Sequence, residues 1–114
     1  MRKSEVMIQE IITELTIELQ ASDPHLFNAD LLAVKVNGAY RDVKAARKYP
    51  STYTEAMIED DMLNYYSAVL AIARFDYNQI GAEGQKSYHE DGVTVHYVDR
   101  DALFYGVLPI ARKA

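Results

Sequence analysis

The side chains of this chain that can hold a metal, move a proton or attack a substrate are few and scattered. His89, Glu90, Asp91 and His96 flank an Asp91-Gly92 step. If that step is a two-residue turn, His89 pairs with Thr94 and His96 lies two pairs further out. The histidines are then only diagonal neighbours, short of a third ligand, and the polar surface of a hairpin is the better reading. Glu59, Asp60 and Asp61 offer three carboxylates in a row, with Asp76 further on. Consecutive helical residues point in different directions, so they cannot share one cation without ligands from elsewhere. Serines, threonines and histidines fall in no recognisable nucleophile arrangement, and zero cysteines exclude a thiol nucleophile and a thiolate metal site. Gly81-Ala82-Glu83-Gly84-Gln85 matches neither phosphate-loop spacing and follows a helical pattern, not a strand. No enzyme, cofactor or metal site is therefore expected.

What remains is charge and shape. A chain of 114 residues with 49% apolar side chains is one domain's worth, residues 1–114, with enough material for one core. No apolar run is long enough to span a bilayer. The Met1-Arg2-Lys3-Ser4 start runs into Glu5, Glu10, Glu14 and Glu18 and not into the uncharged core of a secretion signal, which points to the cytoplasm. The net charge of −5 is unevenly spread. Between residues 28 and 50, Lys35, Arg41, Lys44, Arg47 and Lys48 against Asp30 and Asp42 leave +3; between 51 and 80, Arg74 against Glu55, Glu59, Asp60, Asp61 and Asp76 leaves −4. Affinity for nucleic acid rests mainly on neutralising phosphates, so a net-acidic chain is a poor free nucleic-acid binder. The asymmetry suggests complementary surfaces within one molecule or between neighbours.

The elements that must position these groups read as helices for about residues 5–80. Ile8, Ile11, Ile12, Leu15 and Leu19 form one stripe over residues 5–20, closed by Ser22-Asp23-Pro24. Asn28 is placed to cap a second helix over 29–49, whose apolar face holds Leu32, Val36, Ala39, Tyr40, Val43 and Ala46. Gly38 in its middle hints at close backbone packing. Pro50 ends it, and Thr52 with Glu55 reads as a capping box opening a third, central helix over 53–78. Its apolar residues, from Ile58 through Met62, Tyr65, Tyr66, Val69 and Leu70 to Tyr77, cover a wide arc. Two glycines between 81 and 85 should stop it. Residues 86–90 and 93–98 then alternate as a β-hairpin about Asp91-Gly92, and Asp101 is placed to cap a short last turn before an irregular tail. The expected fold is thus mainly α, a small three- to four-helix bundle with a C-terminal β-hairpin and irregular tail over 81–114.

Arg41, Lys44 and Lys48 share a face of the second helix, opposite in sign to Glu59, Asp60 and Asp61 on the third. Dipole complementarity alone places cations at a helix end, and an acidic protein partner or nucleic acid are the other readings. Nine tyrosines suit helix packing and protein interfaces alike; Tyr65 and Tyr66 belong to the core, and Tyr88, Tyr97 and Tyr105 are better interface candidates.

One succession of fragments has a familiar order. Ala39-Tyr40-Arg41-Asp42-Val43-Lys44 and Arg47-Lys48-Tyr49-Pro50 are followed by Asp76-Tyr77-Asn78-Gln79-Ile80-Gly81-Ala82-Glu83-Gly84-Gln85. Then come Ser87-Tyr88-His89-Glu90-Asp91-Gly92 and Leu103-Phe104-Tyr105-Gly106-Val107-Leu108-Pro109. Over about residues 28–112 this resembles the small head-tail connector proteins of tailed bacteriophages, also called head-completion or adaptor proteins. Tyr88 and Asp91 stand where that pattern often has histidine and asparagine.

The resemblance implies a structural virion protein without catalysis, phage or prophage encoded, made in the bacterial host cytoplasm and resident at the head-tail junction. It would form a homo-oligomeric ring on the portal protein after DNA packaging and support a tail or stopper protein, with no membrane involved. DNA would pass through without specific binding, helped by an acidic channel lining at Glu59, Asp60 and Asp61. Gly81, Glu83, Gly84, Gln85, Ser87, Tyr88, Glu90, Gly92, Phe104, Tyr105 and Pro109 are then the candidate contacts to portal or neighbouring subunit. Arg41, Lys44 and Lys48 with Glu59, Asp60 and Asp61 are candidate inter-subunit charge patches, since a closed ring needs two complementary patches per subunit. The alternative is a small helical regulatory or nucleic-acid-binding domain using the second helix as its basic face. The acidic helix that follows it argues against this.

Overall fold

The computed structural model of the protein describes residues 2–82 and 100–110, and within them the chain is mainly helical, with no strand. The expected hairpin, residues 86–98, lies outside the described residues. Helix α1 spans Lys3–Ser22, α2 Ala29–Arg47, α3 Glu55–Met62 and α4 Tyr66–Ala82; Leu63–Tyr65 and Arg100–Phe104 are 3₁₀ turns.

Met7, Ile11, Leu15 and Leu19 form the buried stripe of α1, one turn's spacing apart, with Ile8 and Ile12 at its margin. Asp23 closes the helix, its amide donating to Leu19 O and its side chain accepting from the Leu26 amide. Asn28 caps α2 as expected, its side-chain oxygen accepting from the Leu31 amide at 3.0 Å. The α2 stripe of Leu32, Val36, Ala39, Tyr40 and Val43 meets Val69, Leu70, Ile72 and Ala73 of α4, and this is the most extensive contact between the described elements. Helix α1 packs against both, so α4 has the central place its wide apolar arc suggests.

Several expectations change. The cap of α3 is Thr54, which accepts from the Met57 amide, and not Thr52. A turn closed from the Tyr53 amide to Pro50 O takes up Thr52, so the helix starts two residues later than the capping-box pattern suggests. The expected single helix over 53–78 is interrupted by the 3₁₀ turn. Three residues turning about 120° each instead of about 100° rotate the following face by about 60°. Helix α4 runs on through Gly81 to Ala82, so Gly81 sits in its last turn and not in a loop; one helical glycine weakens a helix by only about 1 kcal/mol. Finally, no backbone among the described residues crowds Gly38: a Cβ there would meet only the Arg41 guanidinium, at 3.7 Å.

The last described segment is not a loose tail. Leu103 and Phe104 pack on the core and Val107 is buried within it. Asp101 lies inside the 3₁₀ turn Arg100–Phe104, not ahead of it as a cap.

Candidate interaction surfaces

Arg47 ends α2 and ties the C-terminal segment to the bundle. Its Nε and Nη2 donate to the two carboxylate oxygens of Asp61 at 2.9 and 3.1 Å, and its Nη1 donates to Leu108 O at 2.5 Å. The guanidinium lies 4.8 Å from the Tyr65 ring centroid, and Tyr49 adds a hydroxyl bond to Asp61 at 2.6 Å. Only 12% of the Arg47 side chain is exposed. Burial works against its charge, but the bonds to Asp61 and Tyr49 outweigh that and hold its pKa above the ordinary arginine value. Burial first, then the bond to Asp61, pushes the Tyr49 hydroxyl up as well. The backbone completes the knot, since the Ile110 amide donates to Arg47 O at 2.8 Å and satisfies a carbonyl at the end of α2.

A second arginine holds the other end of the segment. Arg100 Nε and Nη2 donate to Asp76 at 2.7 and 2.9 Å, and Nη2 also reaches Asp42 at 2.8 Å, so one guanidinium joins α2, α4 and the 3₁₀ turn. The Asp76 bonds lead in raising its pKa, with Asp42 adding to them. Arg100 also lies over the Phe104 ring, 5.3 Å from its centroid.

The run Glu59, Asp60 and Asp61 is engaged by its own chain. Arg2, ahead of α1, makes no side-chain cap, and Glu59 does that work from α3 by accepting from the Ser4 amide at 2.8 Å. That bond chiefly holds the Glu59 carboxyl below the ordinary range, as expected for an anion at a helix N-terminus. Asp60 pairs with Lys3, and Arg2 reaches Glu55 at 2.5 Å. The three carboxylates thus diverge to three partners. Among the described residues no group of three or more His, Asp or Glu side chains is placed to hold a metal ion.

The basic run behaves differently. Arg41, Lys44 and Lys48 are exposed and make no ion pair among the described residues. Lys48 follows α2 in the left-handed region, φ 51°, which directs the chain toward Tyr49 and Asp61.

Of the other candidate contacts, Tyr105 is 77% exposed, Pro109 is exposed beside the exposed Leu108, and Phe104 is half-buried beneath Arg100. Glu83, Gly84, Gln85, Ser87, Tyr88, Glu90 and Gly92 lie outside the described residues. Arg47, Arg100, Asp42 and Asp76 were not singled out as a site by sequence, although all but Arg100 stand within the quoted fragments.

At one end of the bundle a cavity of about 420 Å³ opens between α1, α2 and α4, lined by Leu19, Leu26, Phe27, Leu31 and Tyr77. The Tyr77 hydroxyl accepts from the Asn28 amide there. Along α1 runs a shallow, mostly apolar groove with Val6, Ile17 and Tyr66 in it and Glu10 and Glu14 at its side.

Comparison with known proteins returns no match. No protein-family model fits the chain, and no curated protein sequence or solved structure is significantly similar to it. No helix among the described residues is long and apolar enough to cross a membrane.

Proposed function

We propose that the protein is a head-tail connector of a tailed bacteriophage, a structural adaptor that forms a ring on the portal and supports a tail or stopper protein. The observation that carries the reading is the order and spacing of the fragments between residues 28 and 112, which resemble that family. A mainly helical domain is consistent with it, and so is a C-terminal segment that leaves Tyr105, Leu108 and Pro109 exposed. The acidic run is occupied by Lys3, Ser4 and Arg47 of the same chain, so a DNA-repelling channel lining built from it is the weakest part of the reading.

The test is to mix purified protein with portal-bearing capsids and to image the portal vertex by electron microscopy. Extra density with the symmetry of the portal is expected, and its absence at saturating protein sinks the proposal. Gly84→Trp should reduce joining while helical circular dichroism stays unchanged; loss of the helical signal would point to a role in folding alone.

The rival reading, a nucleic-acid-binding domain, draws on Arg41, Lys44 and Lys48, which are exposed and make no ion pair among the described residues. Binding to duplex DNA at low salt that weakens steeply as salt rises would favour it.

A further inference from the structure

Two outer faces of the molecule have no partner among the described residues, and they match each other. The outer face of α1 bears the apolar groove, where Ile17 is 68% exposed, with Glu10 and Glu14 exposed beside it. The outer face of α2 bears Val34, 63% exposed, then Gly38 and the exposed cations Arg41, Lys44 and Lys48. One face is apolar with acid, the other apolar with base.

We propose that the outer face of α2 in one copy docks into the α1 groove of a second copy, with Val34 on Ile17 and Arg41 against Glu10. The assignment rests on the ring reading above and is argued from spacing, exposure and charge. Val34 and Arg41 are seven residues apart, as are Glu10 and Ile17. Seven helical residues are two turns, about 10.5 Å, so an antiparallel approach seats both pairs together. Arg41 then also lies about a turn from Glu14, whose carboxylate accepts, among the described residues, only the Tyr66 hydroxyl, at 3.2 Å. The missing side chain at Gly38, over which only the Arg41 guanidinium lies among the described residues, lets the second helix approach closely. The faces lie on different helices of one chain, so the contact is head-to-tail and either closes into a ring or continues as a filament. Opposite charges select this pairing, because two α2 faces repel each other.

Charge reversal tests it on the full chain, by light scattering across concentration at low salt. Arg41→Glu and Glu10→Arg should each weaken self-association about tenfold or more, and the double variant should recover it, with unchanged circular dichroism throughout. A wild-type monomer up to about 1 mM, an unaltered mass for Arg41→Glu, or no recovery in the double variant overturns the interface. So does duplex-DNA binding at low salt that Arg41→Glu abolishes while self-association is unchanged. The capsid experiment separates the two proposals. Joining to portals without the α1–α2 contact leaves the connector reading and removes this interface; association through these residues without portal binding does the reverse.

Discussion

The acidic run of α3 and the basic face of α2 look like matching halves in the sequence, and the folded chain treats them in opposite ways. Glu59, Asp60 and Asp61 are each engaged by the chain itself: an α1 amide, a lysine and a part-buried arginine. Among the described residues Arg41, Lys44 and Lys48 are exposed without an ion pair, and the basic residue that does turn inward is Arg47, one helical turn past Lys44 on a different face. A charge run therefore says little about binding until its internal partners are known. What distinguishes the two is position relative to uncapped backbone and to other elements.

The comparison breaks most sharply at Asp61. Asp61→Ala strands Arg47 in a part-buried site and should cost about 2–3 kcal/mol in denaturant unfolding, somewhat less than a fully buried pair because water still reaches it. Arg41→Ala, in contrast, should fall within about 0.5 kcal/mol of wild type. Equal effects would erase the distinction between the two charge runs. Arg100→Gln should cost about 1 kcal/mol, since a third of that side chain is exposed. Its mark should be local: faster hydrogen exchange at the Val107 amide, which donates to Phe104 O.

Alkaline pH probes the same knot. Folding raises the Tyr49 pKa, so the folded chain holds that proton more tightly than the unfolded one. The contribution is complete below the ordinary tyrosine value of 10.0 and is lost as pH climbs above it. Tyr40 and Tyr66, also raised, act in the same direction. Tyrosinate absorbance should therefore rise later in native protein than in denaturant, and superimposable curves would remove the knot's claim on Tyr49.

The next effects are stabilising. Lys48→Gly relieves a left-handed residue at the α2 terminus, and Gly38→Ala adds a methyl group that meets the Arg41 guanidinium at ordinary contact distance; each should add about 0.5–1 kcal/mol. A loss for Gly38→Ala in the isolated monomer would mean that α2's outer face is packed after all. The smallest change belongs to Asp60→Asn, whose pair with Lys3 is more than half exposed on both sides; about 0.5 kcal/mol or less is expected.

Local pattern made much of this legible. The stripes of α1 and α2, the Asn28 cap and the central place of α4 follow from spacing alone, because each depends on neighbours three or four residues away. The start of α3 is ambiguous in sequence because Thr52 and Thr54 both precede Glu55 closely, and the Pro50 turn decides between them. The two arginine clamps were not legible. Arg100 finds Asp76 and Asp42 at separations of 24 and 58 residues, and no periodicity connects such positions. Glu59 as the cap of α1 was hidden for the same reason: the missing cap at Arg2 is visible in sequence, but not the helix that supplies one.

The knot at Arg47 has a consequence for how the chain is made. Its guanidinium waits for a carbonyl 61 positions later, and at about 5–20 residues per second that interval lasts roughly 3–12 seconds. Throughout it, the nascent protein carries a finished second helix whose end is still open and a core surface that Val107 has yet to cover. Removing a few residues after Gly106 would make that interval permanent, so such a truncation should be felt first at the far end of α2 and by the chaperones that meet it.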